Sequence, residues 1–486
     1  MFRALFRLLH PGPLQLRHET GPTLRSGVAL STVGILVQGL VRLGYSVIIG
    51  NVLGRTVLGS VNAGIALALF ASLLIPSATA LAANKHVAQA RGAGDLGRAA
   101  AVGRHLGRIS LASMAALGVV SALVAPSLIG ADATEATLVG LLAASYSGYV
   151  FVRGYLFGAG EILRATVWDV VTAFVALFLL GALLWLDATA WILLPLVLCY
   201  GGYAAFSWPR GGTDTALSSG AKTDLRDFLG VGLVNSVAIG GFLQLTMAGA
   251  QYWDRATAGA FAAALSLATP ASLLSRSLAI VLFPSVSAAR GRGDERGARR
   301  QIDRATRGLV VTGLLAFGPL ALVSPMLIQI VYRREGFELA ELLLPILLGA
   351  VFLSHIATAA TNSLLSRERR WSRVVAITGV IGALVGVLWW AAAAPQGGVV
   401  HIAVGFLAGS AIIGLVPLAV AWSSERQAWG GLAVRTGLAG ALAVGGVALI
   451  HTQDLGVLWQ LGLAGAYAVI AALLSLPEIR ALLASR

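Results

Sequence analysis

Three arginines, Arg42, Arg153 and Arg276, stand inside long apolar stretches of this 486-residue chain, where a permanent charge needs a reason. A guanidinium stays protonated under all ordinary conditions and presents a planar fork of donors that suits phosphate oxygens. Among apolar helices such a group either lines a polar chamber that receives an anion, or snorkels to an interface, or neutralises an acid. Arg42 lies eight residues before Gly50, about 12 Å along a helix, so its side chain reaches only part of the way to the nearer interface. Both a chamber role and snorkelling stay open for it. Arg153 and Asp169 fall at similar depths on consecutive apolar runs, so a structural ion pair is expected, with Arg153 also kept as a chamber candidate. Arg276 has no carboxylate near it in sequence and is the first choice for the chamber wall.

Uncharged polar residues form a second tier of candidates for substrate binding: Gln38, Asn235, Gln244 and Asn362, each inside an apolar run. Side chains of this kind also simply join helices by hydrogen bonds. His355 is either a packed neutral imidazole or a proton site. No cysteine and histidine cluster has metal-ligand spacing, and no nucleophile, base and acid can be assembled at one depth, so neither a metal, a cofactor nor an enzyme activity is expected. The one cysteine, Cys199, excludes a disulfide within the chain.

The elements that must position these groups follow from composition. Hydrophobic residues make up 57% and charged residues 12%, far from the balance of a soluble domain. Mean hydropathy is +0.83. Cutting at charged or turn-rich punctuation leaves fourteen runs: 27–50, 57–83, 107–130, 137–159, 165–186, 188–208, 228–250, 256–285, 308–331, 340–364, 372–394, 399–422, 434–451 and 456–477. Each is about long enough for a hydrocarbon core that needs ~20 helical residues, and lipid permits little besides a helix. The expectation is an all-α polytopic membrane protein with about 14 transmembrane helices. The net charge of +14 would suit nucleic acid in a soluble protein, but here the arginines mark topology, and no nucleic acid partner is expected. With both termini cytoplasmic, 28 of the 35 basic residues fall on the inner side, Arg55, Arg255, Arg333 and Arg334 fall outside, and Arg42, Arg153 and Arg276 lie within the spans. Residues 1–26 read as a cytoplasmic amphipathic segment rather than a cleavable signal, and the multi-pass protein is expected in the cell membrane. The arginines from Arg290 to Arg307 and from Arg367 to Arg373 read as topology determinants that also attract anionic membrane lipids.

An internal repeat organises the runs. Ala90-Arg91-Gly92-Ala93-Gly94-Asp95 follows the second, and Ala289-Arg290-Gly291-Arg292-Gly293-Asp294 follows the eighth; upstream, Arg55 with Gly59 matches Arg255 with Gly259. Six intervening helices give the halves the same topology, and a pseudo-two-fold along the membrane normal is implied. The expected layout is a six-helix bundle over 27–208, a cytoplasmic linker over 209–227, a second six-helix bundle over 228–422, two additional helices over 434–477 and a tail over 478–486. Pro76 and Pro270 interrupt equivalent helices, and Gly382 with Gly386 and Gly405 with Gly409 permit close helix packing.

With Leu53-Gly54-Arg55 and Gly59, Arg91 to Asp95, Gly259 to Ala264, and Leu282-Phe283-Pro284-Ser285 running into Arg290 to Asp294, the chain resembles the polysaccharide (O-antigen type) flippases of the multidrug/oligosaccharidyl-lipid/polysaccharide exporter superfamily. The resemblance covers about residues 25 to 425. It implies two six-helix bundles, often followed by two extra helices. It implies alternating-access transport of a polyprenyl-pyrophosphate-linked oligosaccharide for surface polysaccharide or cell-wall assembly, with a glycan polymerase or other assembly protein as a further partner. A lipid II flippase of a sister branch is the alternative; that branch usually starts its second helix on an Asp-Ala-Phe-like stretch, whereas here Ser60-Val61-Asn62-Ala63 stands there. A cation-coupled drug exporter would need carboxylates deep in the membrane, and a glycan polymerase or ligase would need a sizeable outer loop; the sequence offers little of either.

Overall fold

Lipid offers a backbone no hydrogen-bond partners, so a chain this apolar must satisfy its amides internally. The protein is an all-α polytopic membrane protein, with no strand among the described residues. The computed structural model describes residues 24–209, 217–253, 255–272, 294–367 and 369–483, together with positions 275, 278, 282, 286, 289 and 290. In chain order the helices are α1 (Leu24–Leu53), α2 (Arg55–Leu73), α3 (Ile75–Gly92), α4 (Leu96–Ile129), α5 (Ala133–Gly158), α6 (Ile162–Trp185) and α7 (Leu194–Ser207). Then come α8 (Ser219–Ser236), α9 (Phe242–Trp253), α10 (Arg255–Ala268), α11 (Glu295–Leu322) and α12 (Ser324–Val331). The series ends with α13 (Glu338–Leu365), α14 (Arg369–Gly397), α15 (Val399–Ser424), α16 (Gly430–Thr452), α17 (Val457–Leu474) and α18 (Leu476–Leu483).

Among the described residues twelve helical segments are long and apolar enough to cross a membrane. Two of the fourteen expected runs are not among them. The run at 228–250 widens into a π-type turn over Val237–Gly241 between α8 and α9. In the run at 256–285, α10 ends at Ala268 in a tight turn over Thr269–Ser272 that holds Pro270, and most of 273–285 lies outside the described residues. Pro76 divides the run at 57–83 in a similar way: α2 stops at Leu73 and α3 restarts at Ile75 with Pro76 in its first turn, where a missing N–H costs nothing.

The ends of the repeated loop make the same contacts in both places. Asp95 N donates to Ala90 O and Asp294 N to Ala289 O, each at 2.9 Å. Each aspartate then caps the following helix, Asp95 Oδ1 accepting from Arg98 N and Asp294 Oδ1 from Gly297 N, both at 2.8 Å. Arg91 Nη1 donates to Gly158 O at 3.0 Å, at the end of α5, and Arg290 Nη1 donates to Ser363 O at 2.6 Å, near the end of α13. The motif is a brace: it starts one helix and ties down the end of a later one, α5 in the first unit and α13 in the second.

Contacts divide the chain into two units, Met1–Tyr45 with Ser60–Tyr252, and Ser46–Gly59 with Trp253–Arg486. The division falls after Tyr252 rather than in the 209–227 linker; α8 and the π-type turn that follows it pack on α2 and α3. The Phe228 ring meets His86 edge-on at 5.5 Å and Lys85 at 4.4 Å, and Gly240 and Gly241 lie against Leu73 and Phe70. In the second unit the segment Ser46–Gly59 is held through backbone carbonyls. Asn51 Nδ2 donates to Val331 O at 2.7 Å, Arg334 Nη1 to Val52 O at 2.6 Å and Arg55 Nη1 to Gly336 O at 2.9 Å. In the same unit α14 and α15 approach closely: a Cβ on Gly382 would meet Gly409 O at 2.7 Å, and one on Gly405 would meet Gly386 O at 2.9 Å. The two additional helices, α16 and α17, pack on α11 around Leu432, Ala439, Ala464 and Tyr467.

Candidate functional site

Helical periodicity in the first unit turns four short patterns toward one another. Gln38 and Arg42 lie one turn apart on α1; Tyr146, Tyr149 and Arg153 share a face of α5; Asp169 projects from α6; Tyr200 and Tyr203 lie one turn apart on α7. These residues form one polar cluster inside otherwise apolar helices.

Its centre is the carboxylate of Asp169, which is fully buried. Arg153 Nε lies 3.0 Å from Asp169 Oδ2, and Tyr149 donates its hydroxyl to Asp169 Oδ1 at 2.9 Å. Gln38 Nε2 donates to the backbone oxygen of Asp169 at 3.1 Å, and Gln38 Oε1 accepts from the Tyr200 hydroxyl at 3.3 Å. The rings of Tyr149 and Tyr200, and those of Tyr149 and Tyr203, have centroids 4.9 Å apart. Gly34 leaves room for the acid: a Cβ there would stand 2.8 Å from Asp169 Oδ2. With both oxygens engaged and no exposed surface, Asp169 acts as an internal counter-ion.

Arg42 is placed differently. Its guanidinium carbon stands 5.4 Å from the centre of the Tyr146 ring, while no carboxylate lies within ion-pair distance of it among the described residues. The cluster holds two guanidiniums and one carboxylate, and only Arg153 is paired with it, so positive charge is in excess. An aromatic-walled, electropositive site of this kind can take an anion beside a flat, hydroxyl-bearing group.

The remaining candidates lie elsewhere. Gln244 is half-buried on α9, and Asn362 is half-buried near the end of α13. His355 is fully buried in the second unit, its Nε2 3.1 Å from Leu309 O and its ring 5.4 Å from that of Phe317. It presents no surface to a chamber. Arg276 and the side chain of Asn235 lie outside the described residues. The tyrosines were not singled out from the sequence; the signal that would have found them is the pair of three-residue spacings, Tyr146 to Tyr149 and Tyr200 to Tyr203.

No protein-family model and no curated protein sequence matches the chain. Solved structures do. A multidrug resistance MATE family transporter of the MOP superfamily, solved in an inward-facing conformation, superposes with a TM-score of 0.64 at 14% identity, over 84% of this chain and 96% of that one. The lipid II flippase MurJ, in an inward closed conformation, gives a TM-score of 0.64 at 13% identity, over 94% of this chain and 100% of that one. A eukaryotic MATE transporter gives 0.60 at 15% identity, over 87% and 98%. The fold is that of the MATE and MurJ transporters. Within this MATE/MurJ fold the polar cluster sits entirely in the first unit, on α1, α5, α6 and α7.

Proposed function

We propose that the chain carries a polyprenyl-pyrophosphate-linked oligosaccharide across the cell membrane by alternating access, with both termini on the cytoplasmic side. The observation that carries this reading is Arg42, a guanidinium in a membrane-spanning helix that stands over a tyrosine ring and has no acidic partner among the described residues. A pyrophosphate supplies the charge Arg42 lacks, and tyrosine rings and hydroxyls suit the faces and edges of sugars. The fold supports transport rather than catalysis, since the neighbours named above are transporters.

Lipid II, which the flippase MurJ carries, is the second reading, favoured by the coverage of 94% of this chain and 100% of that one. A cation-coupled drug exporter is disfavoured by the state of Asp169, whose carboxylate is already held by Arg153 and Tyr149 and offers a cation nothing unpaired.

The test is translocation of a fluorescent polyprenyl-pyrophosphate glycan in proteoliposomes. Arg42→Ala removes one charge-assisted contact, so transport is expected to fall about 10- to 100-fold at unchanged protein abundance. Full transport by Arg42→Ala overturns the reading. Efflux of a cationic dye with no glycan translocation moves the chain to the exporter branch.

A further inference from the structure

A cavity of about 320 Å³ opens in the second unit, where the first turns of α11 meet α18. Its walls include Arg299, Arg300, Arg304 and Arg307, with Asp303 as the one carboxylate and Leu482 on the apolar side. The acid is already used: Arg307 Nε meets both Asp303 oxygens, at 3.0 and 2.9 Å, and Trp429 Nε1 donates to Oδ1 at 2.8 Å. Arg299 reaches Glu425 at 3.6 Å, but Arg290 and Arg367 share that carboxylate. Arg300 and Arg304 are exposed and have no ion-pair partner among the described residues. They stand one helical turn apart, where like charges repel and destabilise the helix.

We infer that this cavity is a binding site for a phosphate-bearing anion, supplied by the head group of an anionic phospholipid. A cavity walled by guanidiniums, two of them unneutralised, is matched by phosphate oxygens, which accept from several forks at once. The lipid source follows from position. The helix that carries the arginines runs without a break from Glu295 into the apolar stretch ending at Leu322, so the cavity lies where that helix enters the membrane. Ala481 and Leu482 give the cavity an apolar wall on the α18 side. The site is separate from the Arg42 cluster and stands whatever substrate the chain moves.

The experiment is native mass spectrometry of the full-length protein titrated with phosphatidylglycerol, with phosphatidylcholine as the zwitterionic control and inorganic diphosphate as the soluble arm. Arg300→Gln with Arg304→Gln should weaken the first phosphatidylglycerol about 25-fold, roughly fivefold for each guanidinium. Arg300→Lys with Arg304→Lys should keep most of the binding. Arg98→Gln with Arg108→Gln, an exposed pair on α4, should stay within about twofold of the wild type, since they lie outside the cavity. Selective loss in the first double variant, with diphosphate ineffective, supports the lipid; diphosphate that binds and displaces phosphatidylglycerol supports the phosphate site with a soluble source. Equal losses in the two glutamine pairs, or no loss in either, overturns the site. Both arginines are exposed and unpaired, so an unchanged unfolding midpoint is expected and certifies each variant as folded.

Discussion

Breaking the Arg153–Asp169 pair from either side should give unequal results, because the two ends are unequally buried. The Asp169 side chain is 0% exposed and that of Arg153 is 20% exposed. In Arg153→Met the carboxylate keeps only the Tyr149 hydroxyl, and a buried charge stripped of its partner costs about 3 to 5 kcal/mol. In Asp169→Leu the guanidinium keeps part of its hydration and the Phe157 ring face, 4.7 Å from its carbon, so the cost is smaller, about 1 to 3 kcal/mol. The double variant removes both charges and leaves the Tyr149 hydroxyl as the main unsatisfied group, at about 1 kcal/mol. The coupling between the sites is then about 3 to 7 kcal/mol. Unfolding midpoints in detergent read this directly: a unit of this size moves roughly 2 to 4 °C per kcal/mol, so Arg153→Met should melt ~10 °C low and the double variant within a few degrees of the wild type. The double variant should also retain transport, since Arg42 is untouched. Should Arg153→Met prove as stable as the double variant, the pair does not hold the cluster together, and Arg153 returns to the list of substrate-binding groups.

Glu425→Gln removes the fully buried carboxylate that Arg290, Arg299 and Arg367 share and that Ser363 bonds at 2.9 Å; a loss of about 3 kcal/mol is expected in the same unfolding assay. Gly259→Ala places a methyl 1.8 Å from Arg55 O, a backbone atom that cannot swing away, so about 2 kcal/mol or more should be lost, read as a lower midpoint. His355→Leu should leave the pH profile of transport unchanged between about pH 5 and 8, since a buried imidazole that donates to Leu309 O has no route to bulk protons; a shifted profile would make it a proton site.

The spans were legible because lipid imposes one rule on every residue of a run, and hydropathy sums that rule over about 20 residues. The helix starts after Asp95 and Asp294 were not legible in that sum: the runs cut at 107 and 308 begin well inside α4 and α11, whose first turns are rich in arginine. The polar cluster was legible only in part. A buried charge advertises itself, which singles out Arg42 and Asp169, but tyrosine counts as apolar in any such sum and its hydroxyl partners are chosen by tertiary contacts. Nothing in the sequence around Gln38 announces that its amide will meet the backbone of Asp169, on a helix with four others between them. The unit boundary escaped for the same reason: the charge-rich linker at 209–227 is punctuation, whereas the packing of Phe228 on Lys85 and His86 is geometry.

The repeated loop separates frame from chemistry. Registering Gly158 on Ser363, whose carbonyls accept from Arg91 and Arg290 respectively, sets Arg153 against Thr358, Tyr149 against Ser354 and Tyr146 against Val351. The arginine brace and the aspartate cap are present in both units, where they fix backbone geometry. The cationic and aromatic groups are present only in the first. A polar cluster that both units shared would place like residues at those registers; their absence from α13 leaves the α5 part of the cluster to the first unit alone. Restoring charge in the second unit by Thr358→Arg should therefore fail to rescue transport in Arg42→Ala, and rescue by that substitution would show that the two units present interchangeable sites.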